Sequence, residues 1–86
     1  MHRDPDDDMT TAEQLAEHNP HAAAEAFSAI ACNRAVDDET RLSAAEQLAA
    51  IDPHAAAPAC LAIARDETVG DQVRLSAAEL LPAHTP

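Results

Sequence analysis

Residues 12–24 read AEQLAEHNPHAAA and residues 45–57 read AEQLAAIDPHAAA, the same phrase written twice at an interval of 33 positions. The match extends outward in both directions. Aligning residues 4–49 with residues 37–82 gives 24 identities in 46 positions. In an alanine-rich chain some of these are cheap, but Glu13/Glu46, Gln14/Gln47, Pro20/Pro53, His21/His54, Ile30/Ile63, Val36/Val69, Asp38/Asp71 and Arg41/Arg74 are not. The hexapeptide RLSAAE also recurs intact at 41–46 and 74–79. A period in the thirties marks a duplicated supersecondary unit that buries its apolar side only when a neighbouring unit lies against it.

Helix punctuation divides the unit. Asn19-Pro20 and Asp52-Pro53 each place a capping side chain before a proline at the first helical position, where the missing N–H costs nothing. Asp4-Pro5 repeats the device, with Asp6, Asp7 and Asp8 set into the positive first turn. Asp38 and Asp71 precede runs of helical spacing: Leu42, Ala45, Leu48 and Ala49 after the first, Leu75, Ala78 and Leu81 after the second. These signals predict five helices near 5–18, 20–33, 39–50, 53–65 and 72–81. Their connections are short enough to force antiparallel neighbours. The second helix should bury Ala23, Ala26, Phe27, Ile30 and Ala31; the fourth, Ala56, Ala59, Cys60, Ile63 and Ala64. Pro58 falls inside the fourth helix and should kink or delay it.

Composition agrees with an all-α chain. The 86 residues include one Gly, one Phe and no Trp or Tyr. Alanine is the best helix former and the poorest core filler, so stability must come from close helix approach with a few Leu, Ile and Val as knobs. The absence of Lys, beside abundant Ala, Arg, Asp and Pro, carries the bias of a GC-rich genome. With 5 basic against 16 acidic residues the formal charge is −11, which repels phosphates and anionic lipid and leaves a basic protein as the fitting partner. We expect no direct nucleic-acid or membrane binding. Cys32 and Cys60 have neither metal-ligand nor C-x-x-C spacing and read as small buried hydrophobes in a reducing compartment. The acidic start MHRDPDDDM lacks the apolar core of a secretory signal, so the expected location is the cytoplasm.

The stretch PACLAIARDETVGDQVRLSAAELL, residues 58–81, resembles a HEAT-like repeat in the broad sense that includes the armadillo and short bilin-lyase types. Pro58, Leu61, Asp66, Val73, Arg74, Ala77, Ala78 and Leu81 take the roles of the bent outer helix, the Asp turn, the Val-Arg pair and the small-residue inner helix. The preceding unit departs from the pattern at Glu25, Asn33 and Thr40. The resemblance implies a short α-α solenoid, with a leading helix at 5–18 and units at about 20–50 and 53–81. It implies that Asp38 and Asp71, or the turn residue Asp66, pair with Arg41 and Arg74 as structural bonds along the stack. It also implies an inner layer of the first, third and fifth helices, the side on which relatives bind peptides or proteins.

On that layer the period stacks Glu13, Glu46 and Glu79, with Gln14 and Gln47 beside them and Glu17 one turn further on. Such a row can receive Arg or Lys from a partner, and it is equally what the solvated face of an amphipathic helix looks like. Leu80 replaces Gln47 in the last unit and is expected to put an apolar residue on the polar face. With Leu75 and Leu81 it makes the fifth helix a candidate surface for a homodimer or a partner helix, unless the tail PAHTP folds over it. His18 and His21 with a carboxylate would make a weak metal site, but duplication alone explains the paired histidines. No nucleophile-base spacing and no glycine-rich phosphate loop is present, and two units are too short to enclose a pigment, so we expect neither enzyme nor cofactor. The expected role is a non-enzymatic adaptor that binds a basic or helical protein segment. The alternatives are an acidic regulator that mimics nucleic acid on a DNA-binding protein, or an accessory subunit of an enzyme.

Overall fold

A computed structural model of the chain describes the backbone of residues 5–81 and the side chains from Asp8 to Leu81. Five helices follow one another: α1 (Pro5–His18), α2 (Pro20–Cys32), α3 (Asp38–Ile51), α4 (Pro53–Arg65) and α5 (Asp71–Leu80). No strand occurs among the described residues. Each helix packs on the next in sequence; in addition α1 meets α3, α3 meets α5, and α2 meets α4. The result is two layers, with α1, α3 and α5 in one and α2 and α4 in the other. The all-α prediction and its helix positions hold to within one residue at each end.

The caps of α2 and α4 act as the sequence implies, whereas Asp38 and Asp71, expected to precede their helices, are the first residues of α3 and α5, and Asp37 and Gly70 stand at the caps. Asn19 accepts from the Ala22 N–H at 3.2 Å, and Asp52 from the His54 and Ala55 N–H groups at 3.1 and 3.3 Å. Asp37 caps α3 through the Thr40 N–H and hydroxyl at 3.1 and 2.8 Å. Asp4 lies outside the described residues. The α4 helix continues through Pro58 without a break, although this sixth residue of the helix has no N–H to give the His54 carbonyl and so costs it one backbone bond.

Backbone geometry repeats with the sequence. The residue before each outer helix has φ/ψ of −148°/83° at Asn19 and −150°/95° at Asp52. The residue ending each has −84°/108° at Asn33 and −83°/106° at Asp66. The residue before each following inner helix has −64°/156° at Asp37 and −61°/152° at Gly70. Matching turn bonds run from Asn33 N–H to Ile30 and Val36 N–H to Asn33, and from Asp66 N–H to Ile63 and Val69 N–H to Asp66, all at 3.0–3.1 Å.

The core lies between the layers: Ala23, Phe27, Ile30 and Ala31 of α2, Ala44, Ala45 and Leu48 of α3, and Ala56, Ala59, Cys60 and Ile63 of α4. Alanine at the contacts lets helix axes approach closely, and Phe27 fills the volume the alanines leave. The stripes predicted for α2 and α4 are largely these residues, except that Ala26 and Ala64 are half-buried and Ala24 is buried in addition.

On α5, Ala77 is the buried residue and Ala78 is exposed; Leu75 is 62% exposed, the exposed leucine that the open last helix was expected to carry. In α3, which packs against α5, the equivalent Leu42 is half-buried and Ala45 buried; among the described residues no helix follows α5 to cover its own side in the same way. The two cysteines also differ: Cys60 is buried, but Cys32 is exposed at the end of α2, where its counterpart in the second unit is the exposed Arg65.

Candidate functional site

The turn between α4 and α5 holds the densest polar network. Asp66 ends α4 and, although it is a carboxylate, is buried. One of its oxygens accepts the Thr68 hydroxyl at 2.6 Å and the Thr68 N–H at 3.0 Å. The other accepts Arg41 from α3 at 2.9 Å, and the exposed Arg34 stands 3.3 Å away. The Thr68 hydroxyl, then the Arg41 guanidinium and the Thr68 N–H, with Arg34 adding its charge, hold this carboxyl far below the usual carboxylate range. Arg41 completes its own bonding by donating Nε–H to the Ala31 carbonyl at 2.9 Å. One arginine therefore ties α3 to the end of α2 and to the turn after α4. A carboxylate saturated in this way is an anchor and not a proton acceptor.

Of the pairings implied for the stack, Asp66–Arg41 is formed. Asp38 instead accepts the Gly70 N–H at 2.9 Å, a second tie between units. Asp71 and Arg74 approach only to 3.9 Å on their own helix, with Asp71 98% exposed. Asn33 repeats the local turn of Asp66, accepting the Ala35 N–H at 2.9 Å, but it carries no charge to hold an arginine. Arg34 and Thr68 escaped the sequence reading. A hydroxyl two residues after a turn aspartate was the available signal for Thr68, whereas Arg34 joins only through the stacking of the two turns.

The acidic row is placed as follows. Glu13, Gln14 and Glu17 on α1, Glu46 on α3 and Glu79 on α5 are exposed. Gln47 is half-buried and donates to Glu13 at 3.1 Å, linking α1 and α3. Leu80 departs from expectation. It occupies the Gln47 position, which faces the preceding inner helix, so it is half-buried and packed on the core, and Leu75 is the exposed leucine. Between α1 and α3 runs an open groove of about 400 Å³ lined by Met9, Thr40 and Ser43 with the carboxylates of Glu13, Asp37 and Glu39. A second groove of about 340 Å³ between α3 and α5 is lined by Glu39, Leu42, Gln72, Val73 and Leu75. Met9, Leu42 and Leu75 are repeat-equivalent, so each groove opens beside an apolar residue. Three arginines, Arg34, Arg41 and Arg65, gather instead around Asp66.

His21 lies 4.0 Å from Glu25, and no group of three His, Cys, Asp or Glu among the described residues is placed to hold a metal ion. No helix among them is long and apolar enough to cross a membrane. Compared with known proteins, the chain matches no family model, no curated protein and no solved structure.

Proposed function

We propose that this protein is a non-enzymatic binding module of the HEAT-like kind, and that its α1/α3/α5 layer receives a basic segment of another protein. The observation that carries this reading is the separation of charge. The α1–α3 groove is lined by three carboxylates around an apolar residue, while Arg34, Arg41 and Arg65 cluster at the turns around Asp66. An Arg or Lys side chain suits such a groove: its stem lies on Met9 and its head among Glu13, Glu39 and Asp37. Glu46 and Glu79 continue the row along the layer. Each exposed pair contributes little by itself, so affinity comes from several rungs at once and association is steered by the net charge of −11.

The test is capture from cell lysate with the wild type and with a chain carrying Glu13→Lys, Glu46→Lys and Glu79→Lys. The expected partner is retained by the wild type, released by salt and lost from the reversed chain. Equal capture by both chains overturns the reading. A partner that its own DNA displaces would assign the acidic layer to nucleic-acid mimicry.

A further inference from the structure

Arg41 and Arg74 hold equivalent positions in the two units, but their surroundings differ. Arg41 is 2% exposed and bonded through Nε to the Ala31 carbonyl and through Nη1 to an aspartate supplied by the following unit. Arg74 makes no bond of the kind Arg41 makes to Ala31: its Nε is buried without a hydrogen-bond partner, and its side chain is 36% exposed. Its neighbour Asp71, 3.9 Å away and exposed, does not stand where Asp66 stands for Arg41. The apolar atoms around Arg74 are bare in the same pattern: Leu75 and Ala78 are exposed where Leu42 is half-buried and Ala45 is buried, and Ala64 is half-buried where Ala31 is buried. The internal repeat thus displays, on its first unit, what covers such a face: a helix pair whose turn aspartate meets the arginine.

The geometry points to the α4–α5 end as a docking face for a helical hairpin of another protein, which sets a turn aspartate on Arg74 and an apolar helix side over Leu75 and Ala78. A second copy of this chain fits poorly. Its own Asp66 is taken by Arg41 and Arg34, its equivalent Asn33 is neutral, and α1 already covers its α2–α3 pair. Two chains of charge −11 also repel. This docking face is separate from the acidic layer and does not depend on it.

The probe is a peptide copying residues 52–81, in which Asp66 is freed from Arg41. Titrated into the full chain, it should bind saturably, about tenfold or more weaker when the peptide carries Asp66→Asn or the chain carries Arg74→Ala, with no further loss when the two are combined. A free helix pair holds its helices weakly, so a second measurement joins a copy of residues 49–81 in cis after Leu81. There Arg74→Ala must lower the urea midpoint more than it does in the 86-residue chain, and the excess must vanish with Asp66→Asn in the added copy. Equal losses in the extended and original chains overturn the proposal. So does a dimer of the original chain, seen by light scattering, that Leu75→Glu dissolves, since the face would then belong to a second copy.

Discussion

Arg41 and Asp66 stand 2.9 Å apart across 25 residues of sequence, and both side chains are almost wholly removed from solvent. Taking either charge out of water is costly unless its partner and further hydrogen bonds replace the lost hydration. Here Thr68 and Arg34 on one side and the Ala31 carbonyl on the other complete that replacement. The bond runs from one unit to the next, and its members respond very differently to substitution.

Arg41→Ala should lower stability in urea denaturation by about 3–5 kcal/mol, the cost of removing one partner of a buried ionic network. Arg74→Ala, at the equivalent but open position, should cost less than about 1 kcal/mol. Equal costs would mean that the two units do not differ in the way their burial indicates.

Acid should loosen the same tie. The Asp66 carboxyl sits lower in the folded chain than its unfolded value near 3.9. Its contribution is therefore complete above about pH 4 and is lost as pH falls toward the folded value. Asp37, held down by the Thr40 hydroxyl and N–H, acts in the same direction. The urea midpoint of the wild type should fall more steeply below about pH 4 than that of Asp66→Asn. Parallel curves would count against the network.

The two thiols should separate cleanly. A thiol reagent should modify the exposed Cys32 in the native protein at once, and Cys60 only after unfolding. Burial pushes the Cys60 thiol up and so depletes the reactive thiolate. Simultaneous modification of both in native buffer would contradict the packing of α4.

Gly70 precedes α5 without offering the side-chain cap that Asp37 gives α3. Its backbone is one that any residue adopts, and a Cβ there would meet only Asp38 Oδ2 at an ordinary 3.7 Å. Gly70→Ser should therefore raise stability by about 0.5–1 kcal/mol, through a new cap and a less free unfolded chain. A lower thermal midpoint would show that the Asp38 tie to the Gly70 N–H had been disturbed.

Phe27 is the one aromatic ring in a core otherwise made of small and aliphatic residues, and it is wholly buried. Phe27→Ala should cost about 3–5 kcal/mol. The equivalent position holds Cys60, a smaller side chain, so the corresponding change Cys60→Ala should be visibly milder in the same calorimetric measurement.

Local signals carried the helices. Proline after Asn19 and after Asp52, the aspartates at the starts of α3 and α5, and the apolar spacing of α2 and α4 all act within a few residues, and the helices form where these signals stand. The misplaced features share one cause, which is reading each copy as though it stood in the same surroundings. Leu75 repeats Leu42 and Leu80 repeats the position of Gln47, yet the residues they meet depend on which helices exist on either side. The Asp66 tie was half legible. Asp66 and Arg41 were both candidates by resemblance, but Arg34, exposed in a different turn, enters only when the two turns are stacked.

The unequal cover of the two copies has a consequence for how their sequences can drift. At 42 and 45 a change of side chain must answer to a neighbouring helix; at 75 and 78 the same change meets water. Folding alone therefore exerts a firm grip on the earlier RLSAAE and a loose one on the later. An arginine that keeps its place at 74 while the fold barely requires it would owe that persistence to something outside the fold.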